Sequence, residues 1–381
     1  MSDPAAPRST PAPSVAAAGG RPIVALQPVT GDVRDAVRRA LLAADWTRFV
    51  PAGADVSLKV NLGWDLFIPG SITSPLVAES LIHEIRGHVG RIYMVESDQV
   101  LEDIESAFAG SGMAEVCRRN GIEWVNMSRA ATVPVDAPDN VVLKRIDVPE
   151  ILRRTLLITV PVMKTHAKTG ITGAIKNQWG CLSKMRHEYH LVLDDALADL
   201  NRVMRPALAL MDGTIGLEGN GPKSGRPRVA DRILCSGDPV ALDTVQALAM
   251  GIDPATIRHL ALCAERGIGV NDPARIEVRG LDPRRDAISF RTARHNAVSM
   301  VETVLRKSVF KKLFFNTPIF NVCLWGAKRY YRAWTRFYAQ GCWNEVRAHP
   351  VYGAQWRHVG PGAVGVPRAA REMATLSESR P

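Results

Sequence analysis

The sequence has no C-x-x-C pair; its six cysteines, at positions 117, 181, 235, 263, 323 and 342, are scattered. That spacing argues against a zinc ribbon and against an iron–sulfur cluster ligated by the chain's own thiolates, and it suits a reduced, cytoplasmic protein. No uninterrupted apolar run of about 18 residues occurs, so a spanning helix is not expected. The start, MSDPAAPRSTPAPSVAAAGGRP, lacks the leucine-rich core of a signal peptide and reads as a disordered leader over residues 1–21. The phosphate loop G-x-x-x-x-G-K-[ST], the RNP signature and a Cys/His finger are also missing. Nucleic acid is therefore set aside as a partner, although the formal net charge is +10.

What is present is a chain of 381 residues, 46% hydrophobic, long enough for one large core or two. Short apolar strands alternate with helical patterns. Residues 23–27 and 56–62 read as strands, and 31–44 as a helix behind an Asp-containing cap. Ser74 and Pro75 open a helix, Ser at the cap and Pro where a missing N–H costs nothing. Strand 91–96, a helix over 102–120 ended by Gly121, and strand 122–127 follow. Residues 131–147 suggest a hairpin. Strand 155–160 leads into a segment whose helix is expected to start near Thr172, with helical signal again at 190–204. Residues 207–213 read as a buried strand ending at Asp212, and 216–227, with four glycines and two prolines, as a loop. Asp238 caps and Pro239 opens a further helix; another covers 254–266, and a last strand lies near 280. This order predicts an α/β fold, a mostly parallel sheet with helices on both faces.

The α/β core is expected over 22–285, a helical extension over 286–360 and a disordered tail over 361–381. Between Val301 and Glu345 lie eight Lys/Arg against two acidic residues, and eleven of the 23 aromatics. Two amphipathic helices broken at Asn316-Thr317-Pro318 fit this pattern. They serve either as a lid packing its aromatics on the body or as a peripheral contact with an anionic membrane.

Chemistry concentrates between Pro161 and His190. In parallel sheets ligands bind beyond the carboxyl ends of strands, which selects Lys59, Asn61, Glu96 to Asp98 and this basic stretch as pocket walls. Lys164, Lys168 and Lys176 would attract a small anion, a carboxylate or phosphate. Thr169, Thr172 and the glycines between them would offer hydroxyls and N–H groups at a helix N-terminus. His166 is the candidate acid/base. A lysine desolvated among cations loses its preference for the ammonium, which makes Lys176 a candidate nucleophile or cofactor anchor. His190 with Asp212 or Glu218 is the candidate ligand set for a divalent metal.

Several motifs stand in one order: Lys59-Val60-Asn61-Leu62, Met163 to Asn177 (MKTHAKTGITGAIKN), Asp199-Leu200-Asn201, Met211 to Pro222 (MDGTIGLEGNGP) and Ser236 to Asp243 (SGDPVALD). Over roughly residues 55–270 they resemble the family called domain of unknown function 362. The resemblance implies an α/β core and, in some members, a fused ferredoxin-type module for which this chain lacks the cysteines; Asn177, at the end of the second motif, is a further candidate substrate-binding residue. A more distant similarity is to the nickel-pincer lactate racemases. It implies His166 as acid/base, Lys176 as cofactor anchor and His190 as metal ligand. That family carries a second catalytic histidine where this chain has Glu96-Ser97-Asp98. The expectation is an enzyme of His/Lys acid–base chemistry on a small anionic substrate, isomerase-like or metal-assisted. The alternatives are a non-catalytic docking protein and an accessory redox protein served by a separate ferredoxin.

Overall fold

The structure, a computed structural model, describes residues 20–63, 67–98, 104–183, 187–221 and 224–293. Within the C-terminal part it describes 325–326, 329–330, 333–334, 336–337 and 340–356. The expected leader, most of the aromatic and basic segment and the expected tail lie outside the described residues.

The chain opens with strand β1 (Ile23–Pro28) and helix α1 (Val33–Ala43), whose Asp32 cap accepts the Arg34 N–H at 2.8 Å. Strand β2 (Val56–Lys59) follows. Helix α2 (Pro75–Ile85) begins behind Ser74, whose hydroxyl accepts the Val77 N–H. Strand β3 (Ile92–Glu96) leads to α3 (Ile104–Gly110) and α4 (Met113–Asn120). The single helix expected over 102–120 is thus two, broken at Gly112, which is left-handed at φ 88°. Strand β4 (Glu123–Asn126) completes this half, and β5 (Thr132–Asp136) with β6 (Arg145–Pro149) forms the expected hairpin as a separate two-stranded sheet.

The second half holds α5 (Glu150–Arg154), β7 (Leu156–Thr159), β8 (Val162–His166), β9 (Gly170–Thr172) and α6 (Ala174–Asn177). Then come α7 (Leu193–Val203), β10 (Leu208–Asn220), β11 (Ser224–Ser236), α8 (Pro239–Ala249), α9 (Arg258–Glu265) and β12 (Glu277–Gly280). Helices α10 (Gln340–Arg347) and α11 (Gly353–Trp356) close the described chain.

Ten strands form one sheet in the order β12–β1–β11–β10–β7–β2–β3–β4, with β8 on β10 and β9 on β8. The run β10–β7–β2–β3–β4 is parallel, as are β12–β1 and β8–β10; the pairs of β11 with β1 and β10, and of β8 with β9, are antiparallel. Strand alternation splits the apolar residues between two cores. Val56, Leu58, Leu208 and Leu210 join α1 and α2 on one face, and Ala209, Met211 and Leu234 join α7, α8 and α9 on the other.

Two expectations are corrected here. The glycine-rich stretch 216–227 belongs mostly to the long β10–β11 hairpin, so Asp212 lies inside a strand instead of at its end. The reason is close approach: a Cβ at Gly216 would sit 2.7 Å from the Met163 carbonyl oxygen of β8. Likewise the helix expected near Thr172 starts at Ala174, because Gly170 to Thr172 fold back on β8, pairing Lys164 with Thr172 and His166 with Gly170.

The C-terminal helices are built into the body. Trp343, Val346, Tyr352 and Trp356 are buried in the core that contains α1 and α2. Gln355 Oε1 accepts the Ser74 hydroxyl at 2.5 Å and the Leu76 N–H at 3.1 Å, so α11 caps the start of α2 from outside its own sequence neighbourhood.

Candidate functional site

The carboxyl ends of three adjacent parallel strands meet at Lys59, Glu96 and Thr159, and register pairs Lys59 with Val95 and Thr159. Lys59 is buried, with 1% of its side chain exposed. Its ammonium donates to Glu96 Oε2 at 2.8 Å, to the Val60 carbonyl at 2.8 Å and to Asn177 Oδ1 at 3.3 Å. Glu96 is held in turn by the N–H groups of Leu62 and Ser97. The pair is therefore satisfied on both sides, the condition under which buried charges persist. Gly180 roofs it: a Cβ there would lie 2.5 Å from the Lys59 ammonium and closer still to Glu96.

A second ammonium lies beside the first. Lys164, projecting from β8, donates to Asn61 Oδ1 and to the Ser71 carbonyl, both at 2.9 Å. Asn61 Nδ2 donates to Asn177 Oδ1 at 3.1 Å, and Asn177 Nδ2 to the Lys59 carbonyl and the Thr159 hydroxyl. Two amides thus bridge two buried ammoniums. Burial, then repulsion from Lys176 and from Lys59, brings the Lys164 pKa down to about 7. At neutral pH Lys164 is consequently able to hold or release a proton, which a free lysine is not. Asp212 is also buried. Its carboxylate accepts from Ser74 N–H, Thr214 N–H and the Thr214 hydroxyl, yet burial outweighs these bonds and raises its pKa.

Helix α6 carries Lys176 and Asn177 into this place. Its first N–H groups do not await a ligand: Ala174 and Ile175 donate to the Asp243 carboxylate at 2.6 and 2.9 Å. This corrects the expected anion cradle at Thr169 to Gly173, because Asp243 of α8 already fills the positive end of the helix. Thr169 donates its hydroxyl to the Ile171 carbonyl, and the Thr172 hydroxyl lies 3.5 Å from the Lys164 carbonyl, so both serve the hairpin. Lys168 is exposed on the hairpin turn, whereas Lys176 is partly buried.

His166, 8% exposed, stands two residues beyond Lys164 on the same face of β8. Its Nδ1 accepts the Lys168 and Thr169 N–H groups at 3.0 and 3.3 Å, which assigns the proton of the neutral ring to Nε2. Of the expected metal ligands, His190 with either Asp212 or Glu218, the structure describes the two carboxylates. Asp212 and Glu218 are six positions apart on β10, about 20 Å for an extended strand. Glu218 is turned to Arg291, whose N–H it accepts at 3.1 Å. The His190 side chain lies outside the described residues, and no group of three His, Cys, Asp or Glu side chains suited to a metal occurs among them. A separate open depression of about 390 Å³ is lined by Arg91, Tyr93, Asn120 and Glu123, at the amino ends of β3 and β4 and away from this cluster.

The structure brings together Lys59, Asn61, Glu96, Lys164 and Asn177, five residues singled out from the sequence, with Glu96 as the counter-charge to Lys59. Ser71, Thr159 and Asp243 were not foreseen as neighbours. Only Asp243 had a signal, its place one turn into the helix that Asp238 caps with both Val240 and Ala241 N–H groups.

Fold and cluster define an α/β protein with a buried lysine-rich centre at the carboxyl ends of parallel strands. The chain belongs to the family described as domain of unknown function (DUF362), whose match over residues 56–247 covers half of the chain and runs from β2 into α8. A thylakoid-associated protein of Synechocystis sp. is 32% identical over 133 residues, 33% of this chain and 41% of that protein. The chain therefore spans less than half the length of that relative. No solved structure matches. Among the described residues no helix is long and apolar enough to cross a membrane.

Proposed function

We propose that the cluster of Lys59, Asn61, Lys164, Lys176 and Asn177 binds a small carboxylate or phosphate, and that the protein is an enzyme of acid–base chemistry in which Lys164 exchanges a proton with the bound anion. The observation that carries this reading is the fully buried Lys164 ammonium, held by two neutral oxygens, with a pKa lowered to about 7. Lys59 and Lys176 both repel the buried Lys164 ammonium, so a bound anion that eased this repulsion would be favoured there. His166, whose Nδ1 accepts the Lys168 and Thr169 N–H groups, is the second acid/base of this reading. An anion bound beside Lys164 favours its ammonium, so binding near neutral pH takes up a proton.

The test is titration calorimetry of the full chain with inorganic phosphate and with small carboxylates such as malonate, in two buffers of different ionisation enthalpy. Buffer-dependent heats, and at least about tenfold weaker binding in Lys164→Met and Lys176→Met, are expected. Binding equal in all three proteins, or absent throughout, overturns the proposal.

A second reading concerns location: a cytoplasmic protein peripheral to an anionic membrane. It is supported by the thylakoid association in the name of the relative. Trp325, Tyr330 and Phe337 are 60%, 47% and 83% exposed, with the Arg329 guanidinium 4.9 Å from the Trp325 ring centre. Aromatics interleaved with cations suit a headgroup layer. Sedimentation with phosphatidylserine-containing liposomes tests it; recovery of the full chain in the supernatant would count against it, whereas loss of binding on deleting 301–338 would support it.

A further inference from the structure

Residues 71–74 join two parts of the molecule that the sequence keeps far apart. On one side they hold the lysine cluster. The Ser71 carbonyl accepts the Lys164 ammonium at 2.9 Å, and the Ser74 N–H donates to Asp212 Oδ2 at 2.8 Å. Between them the Thr73 hydroxyl accepts the Asn61 N–H and donates to the Val160 carbonyl, both at 2.8 Å. On the other side the segment meets the C-terminal helices: the Ser74 hydroxyl donates to Gln355 Oε1 of α11 at 2.5 Å, and the Leu76 N–H to the same oxygen at 3.1 Å. Ser71, Thr73, Ser74 and Asp212 are all buried, so a bond lost here is not made good by solvent.

The link through Ser74 has a fixed direction. A hydroxyl carries one proton; because Gln355 takes it, a lone pair is left for the Val77 N–H that Ser74 caps at the start of α2. Without Gln355 both the Ser74 hydroxyl and the Leu76 N–H lack their acceptor, at the residue whose own N–H holds Asp212. The attachment of α11 is also poised to open. Gln355 Nε2 is buried without a partner, so that end of the amide gains hydration when it comes away. The neighbouring contact, from the Tyr352 hydroxyl to Asp231 Oδ1 at 2.5 Å, is made to a residue whose backbone is left-handed at φ 50°, an unfavourable conformation outside glycine. Asp231 precedes Arg232, the register partner of Gly213, so both contacts of the clasp end beside Asp212.

We propose that Gln355 is a latch that positions the lysine cluster: seated on Ser74, it fixes residues 71–74 so that the Ser71 carbonyl stays on Lys164 and the Ser74 N–H on Asp212. When the latch is released, the segment loosens and water reaches the centre. The charged groups that face Lys164 are Lys176, Lys59, Glu96 and Asp212. Neither residues 71–74 nor α11 carries a charge, so the latch acts on the ammonium through hydration and the Ser71 carbonyl. Burial is the foremost cause of the lowered Lys164 pKa, and entry of water therefore raises it. Gln355 touches no reacting atom and is a positioning residue. The proposal rests on the reading of the lysine cluster as the site, and it adds a route by which the C-terminal helices govern that site.

The test uses ligand-free full-length protein and two NMR readouts. Labelled lysine gives the Lys164 pKa, its resonance being assigned by its loss in Lys164→Met; 15N-serine gives the exchange rate of the Ser74 amide, assigned by its loss in Ser74→Ala. In Gln355→Ala the Lys164 pKa is expected to rise by about half a unit or more, a roughly threefold gain in proton affinity, and the Ser74 amide to exchange at least about tenfold faster. Gln355→Glu keeps an oxygen for both donors and is expected to restore the parent exchange rate. Asp55→Ala, which removes the acceptor of the Arg91 N–H at the amino ends of the strands, is the matched control and is expected to leave both readouts unmoved. Circular dichroism verifies the fold of each variant. Faster exchange with an unmoved Lys164 pKa would confine Gln355 to the capping of α2 and overturn the proposal. So would no change in either readout, shifts matched by Asp55→Ala, or exchange in Gln355→Glu as fast as in Gln355→Ala. Because every comparison is made without ligand, the result stands apart from success or failure of the anion titrations.

Discussion

The Lys59 ammonium meets the Glu96 carboxylate at 2.8 Å, where only 1% and 2% of the two side chains remain exposed. Removing one partner leaves the other charge buried and alone. Glu96→Leu is expected to cost about 3–5 kcal/mol, whereas Lys59→Met combined with Glu96→Leu costs markedly less than the single change. Urea unfolding of the parent, both single variants and the double variant measures this; equal costs for Glu96→Leu and the double variant would show that the pair is not coupled.

Gly180 makes that pair inaccessible to any larger residue. Gly180→Ala places a methyl against the Lys59 ammonium and Glu96, and neither has room to retreat without losing hydrogen bonds. A loss of about 1–3 kcal/mol is expected, visible as a drop in melting temperature. An unchanged melting temperature would mean that residues 178–181 shift freely off the strand ends.

Lys164 makes stability depend on pH with a definite sign. Its folded pKa, about 7, lies below its ordinary 10.5. Between these values the unfolded chain holds a proton that the folded chain has given up, so stability rises with pH across this window. Below pH 7 both states are protonated and the full cost of burying the ammonium is felt. Unfolding free energies at pH 7 and pH 9 are expected to differ by less in Lys164→Met than in the parent.

Asp243 gives the opposite slope. Burial pushes its pKa from 3.8 to about 7, against the two N–H bonds from Ala174 and Ile175. Between these values the folded chain holds a proton that the unfolded chain has lost, so its contribution falls as pH rises. Asp243→Asn removes that slope. Asp243→Ala also leaves two buried N–H groups unpaired and is expected to cost about 2–4 kcal/mol more than Asn. Urea titrations at pH 5 and pH 7.5 compare the three proteins.

The C-terminal clasp supports the body. Trp356 is 1% exposed within the core that holds α1 and α2, and Trp356→Ala is expected to cost about 3–5 kcal/mol. Gln355→Ala removes the acceptor for Ser74 and Leu76 and should cost about 1 kcal/mol. If α10 and α11 were a loosely attached lid, neither change would move the main unfolding transition.

The sequence located much of this centre because strand ends are legible from apolar periodicity. Lys59 and Asn61 follow directly from the apolar strand before them, and Asp238-Pro239 marks a helix start by its chemistry alone. The β10–β11 hairpin was illegible for a physical reason. Glycine serves both turns and close backbone approach, and composition does not distinguish them; Gly216 is there for the nearness of Met163. The same ambiguity hid the β8–β9 hairpin, whose glycines suggested a helix start. Asp243 acts across elements far apart in sequence, accepting the Ala174 and Ile175 N–H groups, and no local spacing encodes such a contact.

Strand β1 is the second strand from one edge of the large sheet. It lies between β11 and β12, pairing Ala25 with Cys235 and Ile23 with Glu277. Its two neighbours are therefore made more than two hundred residues after it, and the sheet cannot be completed until the chain has been synthesised to about residue 280. During synthesis the apolar β1 waits unpaired, while β2 finds its neighbour β3 soon after it in the chain. Such high contact order predicts slow completion of folding from the amino-terminal side. It also makes the first strand the segment most exposed to wrong partners before the last strand arrives.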